Sequence, residues 1–238
     1  MKSVLITGGT RGIGRAMVEL FSKKGYKVAF TYKSSDKAAA ALSEQTGAIA
    51  IKADSAVREE IENATALAIR ELSGIDCLIN NVGVSSFSLF TELEYDAWRE
   101  CMAVNLDSVF LYSKAVIPGM ISRGGGTVIN ISSMWGLVGS SCEVHYSTAK
   151  AALIGMTKAL AKELGPSGIR VNAIAPGLID TDMNSSLSGE DVAALVEDTP
   201  LMRIGTPEDV AKIAYFLATD SSAFVTGAVI NASGGYVV

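Results

Sequence analysis

The chain has 238 residues, of which 49% are hydrophobic, and a formal net charge of −5. This length fits one domain with a sizeable core, and the composition excludes a disordered chain. The acidic balance disfavours nucleic acid, no segment approaches the ~20 apolar residues of a membrane span, and the apolar run after Lys2 is too short for a signal peptide, so we expect a cytoplasmic protein.

Short apolar segments rich in β-branched residues alternate with segments of helical periodicity along the whole chain. Strands are predicted, in chain order, at 3–7 (SVLIT), 26–32 (YKVAFTY), 48–54 (AIAIKAD), 75–81 (IDCLINN), 126–132 (GTVINIS), 169–176 (IRVNAIAP) and 228–235 (AVINASGG). Helical spacing is found over 15–24, 56–72, 98–120, 146–164 and 207–219.

Repeated strand-helix alternation predicts an α/β fold with a seven-stranded parallel sheet and helices on both faces. We expect residues 1–238 to form a single doubly wound Rossmann-type domain. The segment at about 180–205 breaks the alternation and is interpreted as a substrate lid. Its apolar residues either cover an acyl chain or form an amphipathic helix over the sheet edge. They are Met183, Leu187, Val192, Leu195 and Val196.

A glycine-rich turn lies between the first predicted strand and the first predicted helix. Gly8, Gly12 and Gly14 allow a tight turn in which backbone N–H groups approach a pyrophosphate at the helix N-terminus. The spacing departs from G-x-G-x-x-G, because Met17 stands where the third glycine would fall. A purely structural turn is the alternative.

The end of the second strand indicates which dinucleotide would bind. NAD sites usually place an acidic residue there, whereas this chain has Tyr32 and Lys33, followed by Ser34. With Arg11 in the glycine turn, these residues suit a 2′-phosphate, which favours NADP(H) over NAD(H). Ordinary solvated charges are the alternative interpretation.

Tyr146 and Lys150 have the i, i+4 spacing that places two side chains on one helix face. We expect the ammonium to lower the pKa of the phenol, so that Tyr146 exchanges a proton with a substrate oxygen. A solvated helix face would show the same spacing. The only histidine, His145, adjoins Tyr146, and we expect it at a lid or cleft wall.

Six motifs occur in a fixed order: TGGTRGIG at 7–14, NNVG at 80–83, VNL at 104–106, ISS at 131–133, YSTAK at 146–150 and APG at 175–177. In this order the chain resembles the short-chain dehydrogenase/reductase family over essentially its whole length. The resemblance implies an NADP-dependent oxidoreductase that acts on CH–OH groups and needs no metal. A non-catalytic dinucleotide-binding sensor is a less favoured alternative.

The resemblance implies a catalytic role for four residues. Tyr146 donates the proton in reduction, and Lys150 contacts the nicotinamide ribose. Ser133 holds the carbonyl oxygen, while Asn105 helps to order a water relay behind Lys150.

The resemblance also implies a cofactor-binding set. Asp54 would meet the adenine, Asn81 and Gly83 would line the cleft, and Ile179 with Thr181 would hold the carboxamide. The full expected set is Gly8, Thr10, Arg11, Gly12, Ile13, Gly14, Lys33, Ser34, Asp54, Ser55, Asn81, Gly83, Tyr146, Lys150, Pro176, Gly177, Ile179 and Thr181.

The C-terminal segment resembles bacterial 3-oxoacyl-[acyl-carrier-protein] reductases in IDTDM at 179–183, PLMRIGTPEDVA at 200–211 and VTGAVINASGG at 225–235. The resemblance implies NADPH-dependent reduction of a 3-oxoacyl thioester to the 3-hydroxyacyl form in fatty acid synthesis. Two departures are Val82, where alanine is frequent, and Met202, where glycine is frequent. A same-family enzyme acting on a free ketone, sugar, steroid or acyl-CoA is the alternative.

Carrier-protein recognition is a third departure. Those reductases dock the acidic carrier through basic residues near the cleft mouth, and the matching positions here are Gly124 and Ser167. Basic residues nearby would have to replace them: Arg123, Lys158, Lys162 and Arg170.

A homotetramer is expected from the same resemblance, through the long helices after the fourth and fifth strands and the C-terminal strand, and a homodimer is the alternative. Small residues on the second of these helices would allow close approach of two helices, although a core face would look similar. They are Ala151, Ala152, Leu153, Gly155, Met156 and Ala159.

Overall fold

The computed structural model describes residues 1–184 and 188–237 and contains one seven-stranded parallel sheet in the order β3-β2-β1-β4-β5-β6-β7. The strands are β1 Ser3–Ile6, β2 Lys27–Tyr32, β3 Ile49–Lys52, β4 Cys77–Asn80, β5 Gly126–Ile131, β6 Ile169–Pro176 and β7 Val229–Ala232. The predicted fold class and all seven strands are therefore confirmed.

Helices cover both faces of the sheet. They are α1 Gly12–Lys23, α2 Asp36–Thr46, α3 Arg58–Leu72, α4 Tyr95–Met102, α5 Ser108–Ser122, α6 Trp135–Val138, α7 Val144–Leu164, α8 Gly189–Glu197 and α9 Pro207–Ala218. The prediction of one α-helix over 98–120 is wrong, because a π-helical turn at Ala103–Asp107 separates α4 from α5. Helix α2 is absent from the predicted set.

Alternate residues of each strand enter two separate apolar layers, as the two-residue period of a strand requires. In β1, Val4 and Ile6 pack with Phe21 of α1 and the helices on that side. Leu5 points to the other layer, where it joins Tyr112 of α5. Each layer buries its helices against the sheet, which makes the strand ends rigid supports for a site.

The segment predicted as a lid leaves the sheet after β6 and returns before α9. Its two ends are paired, because Asp180 N–H donates to the Gly205 carbonyl at 2.9 Å and Gly205 N–H donates to the Leu178 carbonyl at 2.9 Å. Of the expected lid residues, Met183 and Leu195 line the central cleft, Val192 and Val196 are half-buried, and Leu187 lies outside the described residues.

Within 1–184 and 188–237, no helix has the length and apolar character needed to cross a membrane.

Candidate active site

A cleft opens at the carboxyl edge of the sheet, between β1 and β4, where the strand order reverses direction. Such a switch point is where ligands bind in doubly wound sheets. Thr7 clamps the two loops that leave these strands, because its Oγ1 accepts hydrogen bonds from Asn81 N–H at 2.9 Å and Val82 N–H at 3.0 Å. The cleft has a volume of about 530 Å³, and every residue of the expected cofactor-binding set lines it.

The glycine turn forms the floor of this cleft. Gly8 and Gly12 have φ values of 71° and 50°, in the left-handed region that favours glycine. At Gly14, an added Cβ would lie 2.0 Å from the Gly8 carbonyl oxygen, so a side chain there is excluded. Met17, at the position of the missing third glycine, is fully buried in the core. The tight turn therefore forms without that glycine.

One end of the cleft carries two cations that are paired with acids. Lys33 Nζ lies 2.7 Å from Asp54 Oδ2, and Arg11 Nη1 lies 3.9 Å from Asp182 Oδ2. The hydrogen bond to Asp54 raises the pKa of Lys33. Both cations line the cleft, and their side chains are 75% exposed for Arg11 and 64% exposed for Lys33. This arrangement fits an anionic group beyond the glycine turn.

Ser133, Tyr146 and Lys150 meet on the inner wall of the same cleft. Ser133 follows β5, and Tyr146 lies in the first turn of α7, which begins two residues before the predicted start. The Tyr146 side chain is almost fully buried. Burial raises the pKa of Tyr146 to about 12 and outweighs the lowering by its hydrogen bond with Ser133. The expected lowering of the Tyr146 pKa is therefore wrong for this state of the chain, because spacing did not indicate burial.

Lys150 is buried beside the phenol. Its Nζ lies 5.5 Å from the centre of the Tyr146 ring and donates a 3.0 Å hydrogen bond to the Ile131 carbonyl. Burial lowers the pKa of Lys150 to about 8. An added Cβ on Gly83 would lie 3.2 Å from Lys150 Nζ and 2.8 Å from Asn105 Oδ1, so glycine provides the room between these side chains.

Asn105 lies behind this wall in the π-helical turn and is fully buried. Its Nδ2 donates to the Val84 carbonyl at 2.8 Å and to the Cys101 carbonyl at 3.0 Å. Its Oδ1 accepts from Val84 N–H at 3.3 Å. Asn105 thus fixes the loop after β4, and it is not among the residues that line the cleft. Its role in a water relay stays a prediction.

The positions matched to carrier-docking residues lie at the opposite edge of the sheet. Gly124 precedes β5 and Ser167 precedes β6, and the two turns touch, since Gly126 N–H donates to the Gly168 carbonyl at 3.4 Å. Their expected place near the cleft mouth is wrong within one chain, because amino ends of parallel strands lie opposite the cleft.

Two of the four basic residues suggested to replace the carrier-docking residues make contacts within the chain. Arg170 donates to the Leu217 carbonyl at 2.8 Å and to Thr127 Oγ1 at 3.0 Å. Arg123 donates to the Ile75 carbonyl and lies 3.8 Å from an Asp76 oxygen. Lys158 and Lys162, by contrast, are exposed on α7.

Sequence reasoning missed the polar contacts that tie the loop after β4 to the start of α7. Ser85 donates to the Glu143 carboxylate, and Ser86 Oγ lies 2.9 Å from His145 Nε2. His145 is buried and is not a lining residue of the cleft, so its expected place at a lid or cleft wall is wrong. Ser85, Phe87 and Glu143 do line the cleft. Their only sequence signal is nearness to the NNVG and YSTAK motifs.

A family model described as Enoyl-(Acyl carrier protein) reductase, one of the short-chain dehydrogenase/reductase models, matches residues 8–237. The chain belongs to the short-chain dehydrogenase/reductase family. This membership makes the chain an oxidoreductase by family, and it agrees with the motif order and with the fold described above.

Individual members of the short-chain dehydrogenase/reductase family are similar over nearly the whole chain. A 3-oxoacyl-[acyl-carrier-protein] reductase of Aquifex aeolicus is 40% identical, covering 98% of this chain and 96% of the relative. An acetoacetyl-CoA reductase of Rhizobium meliloti is 38% identical, covering 97% and 96%. A solved structure titled as a blue fluorescent protein from a metagenomic library in complex with NADPH has a TM-score of 0.95 and 35% identity, and it covers 100% of this chain and 98% of that one.

Proposed function

We propose that this chain is an NADPH-dependent reductase that converts 3-oxoacyl thioesters, in the first place 3-oxoacyl-[acyl-carrier-protein], to 3-hydroxyacyl thioesters. The observation that carries the proposal is the convergence of Ser133, Tyr146 and Lys150 on the wall of the cleft whose floor is the glycine turn. The names of the similar reductases favour this substrate class. No step of the proposed reaction requires a metal.

The proposed roles follow from placement and protonation state. Tyr146 donates its proton to the C3 carbonyl oxygen as that oxygen gains negative charge, and the Ser133 hydroxyl donates a hydrogen bond to the same oxygen. A phenol whose pKa is about 12 is protonated at neutral pH, as a proton donor must be. NADPH, when bound, supplies the hydride that reduces the carbonyl carbon.

The cofactor proposal rests on the shape and charge of the cleft. Gly8, Gly12 and Gly14 leave room for a pyrophosphate next to the first turn of α1. Arg11 and Lys33, with Ser34 beside them, would hold a 2′-phosphate at the end of β2. The remaining members of the expected cofactor set would contact the adenine, ribose and nicotinamide. A similar protein solved with NADPH supports the choice.

Reduction of an acyl-CoA is the second candidate. The positions of the expected carrier-docking residues hold Gly124 and Ser167, which supply no cation, and Arg123 and Arg170 are engaged in the fold. An acetoacetyl-CoA reductase is also 38% identical to this chain. A carrier-independent thioester reductase would need no basic docking surface.

The two candidates are separated by following NADPH oxidation, beside NADH, with one 3-oxoacyl group presented on carrier protein, on CoA and on N-acetylcysteamine. A higher kcat/KM on carrier protein supports the first candidate, and equal values favour the second. A 2-enoyl thioester is the control for double-bond reduction, because the family model carries that description. Turnover of the enoyl thioester alone would contradict the proposal.

We also propose that residues 180–205 act as a substrate lid and that α7 takes part in a homotetramer. Ala151, Gly155 and Ala159 form an exposed row of small residues, and an added Cβ on Gly155 would meet nothing within 4 Å. Leu153 is fully buried inside the chain, so its expected place in an intersubunit face is wrong. Light scattering with size exclusion tests the assembly.

A further inference from the structure

A buried carboxylate forms part of the cleft wall beside Tyr146. Glu143 is 5% exposed, lines the cleft and immediately precedes α7, whose first turn contains Tyr146. The positive end of a 21-residue helix stabilises negative charge at this position. An acid placed here acts directly on whatever occupies the cleft beside the phenol.

The carboxylate has few compensating partners. Ser85 donates a hydrogen bond to Glu143 Oε1. Among residues 1–184 and 188–237, this is its only side-chain hydrogen bond, and no lysine, arginine or histidine nitrogen lies within 4.0 Å of its oxygens. A buried charge with one neutral donor strongly disfavours a second negative charge nearby.

The other charged groups of the cleft do not neutralise Glu143. Arg11 is near Asp182, Lys33 is paired with Asp54, and Glu100 acts on Lys33 at that same end. Among the described residues that line the cleft, the third cation is Lys150, which donates to the Ile131 carbonyl.

The electrostatic field of Glu143 acts on the end of the cleft that contains Tyr146. After burial, which is the main cause, this negative charge raises the pKa of Tyr146 further. The Tyr146 hydroxyl marks the place of the substrate oxygen in the proposed reaction. Groups attached one or two carbons from the carbon that bears this oxygen therefore lie in the field of Glu143.

We infer that Glu143 is a specificity-determining residue that selects neutral 3-oxoacyl esters and thioesters against 3-oxo acids with an ionised carboxylate. The inference rests on the proposed reduction of 3-oxoacyl groups. A thioester places a neutral carbonyl two carbons from the reacting carbon, whereas the free acid places an anion there. Repulsion of the wrong substrate is a general source of specificity, and here it would restrict reduction to acyl groups still attached to their carrier.

The test compares acetoacetate with methyl acetoacetate, which have the same carbon skeleton and differ in charge. The measured quantity is the ratio of kcat/KM for the anion to kcat/KM for the ester, with saturating NADPH at neutral pH. Glu143→Gln removes the charge and keeps the shape, so this ratio should rise at least about tenfold. Glu143→Asp keeps the charge and should keep a ratio close to the wild-type value.

Glu143→Asp is thus the matched control, because the carboxylate remains. An unchanged ratio in Glu143→Gln, with both proteins reducing the ester, overturns the inference and leaves the proposed function standing. Failure of the wild type to reduce any 3-oxoacyl ester or thioester removes the proposed function itself. If Glu143→Gln does not fold, Glu143→Ala makes the same comparison.

Discussion

Lys150 lies with its Nζ 5.5 Å from the centre of the Tyr146 ring, and both side chains are buried in the wall of one cleft. In the proposed reaction this pair supplies the proton, so Tyr146→Phe should lower kcat by about 10²–10⁴-fold. NADPH affinity, measured by fluorescence titration, should remain, since the change removes one hydroxyl. Ser133→Ala is the companion variant and should also lower kcat. A Tyr146→Phe protein with wild-type kcat would exclude Tyr146 as the donor.

Burial of Lys150 should cost stability in a pH-dependent way. Its pKa is lowered to about 8 from an ordinary 10.5, so between these values the unfolded chain binds more protons than the folded chain. Wild-type stability should therefore rise with pH across this window, and the cost is complete below pH 8. Lys150→Met should be inactive yet more stable than wild type at pH 6.5, by about 2 kcal/mol after loss of the bond to Ile131.

Denaturant unfolding at pH 6.5 and pH 10.5 checks this prediction. The advantage of Lys150→Met should shrink at the higher pH, where wild-type Lys150 is neutral in the folded state and about half protonated in the unfolded state. A constant difference at the two pH values would show that burial of the charge is not its origin.

Close packing at the glycine turn makes Gly14 intolerant of a side chain. Gly14→Ala would place Cβ 2.0 Å from the Gly8 carbonyl oxygen, so the turn must move. We expect NADPH affinity to fall at least about tenfold and the thermal midpoint to drop. Gly189→Ala is the control, because its Cβ would meet nothing within 4 Å. Calorimetric titration with equal NADPH affinity for wild type and Gly14→Ala would contradict the prediction.

Cofactor preference should depend on Lys33. Lys33→Ala removes a cation at the proposed 2′-phosphate position, so the ratio of kcat/KM for NADPH to that for NADH should fall about tenfold. Lys52→Ala is the matched control, since Lys52 is a neighbouring lysine paired with Asp36 and does not line the cleft. Equal ratios in the two variants would place the 2′-phosphate elsewhere.

Met202 adopts a backbone conformation that suits glycine. Its φ is 52°, and its side chain is 64% exposed. Met202→Gly should relieve left-handed strain with little loss of packing, and it should stabilise the protein by about 0.5–1 kcal/mol. Leu201→Gly is the control, because Leu201 is equally exposed and lacks a positive φ. Its stability should fall, and a destabilised Met202→Gly would show that the methionine side chain contributes unrecognised contacts.

The seven strands were predictable because buried parallel strands are short, continuous apolar segments. The site was predictable as a set of motifs, since each motif follows the carboxyl end of a strand and these ends meet. Burial was harder to infer. The spacing of Tyr146 and Lys150 indicated their nearness, but desolvation reversed the expected direction of the Tyr146 pKa.

Other differences have equally local causes. Gly124 and Ser167 were matched to positions near the cleft, and only the strand direction shows that they precede β5 and β6 at the far edge. Leu153 lies in a segment of α7 whose small and apolar residues belong partly to the core face and partly to the exposed face of the helix, and the residue types alone do not separate the two faces. Glu143 was overlooked because a lone acid beside a motif has no spacing pattern.

The π-helical turn at Ala103–Asp107 also explains how α4 and α5 serve different neighbours without a loop between them. An extra residue advances a helix by about 100°. The π-helical turn therefore rotates the side-chain positions of α5 relative to those of α4. As a result, α4 packs on α7 while α5 packs on α3. One continuous element thereby connects the helix that carries Tyr146 to α3 within the same apolar layer, and the turn that holds Asn105 separates the two contacts.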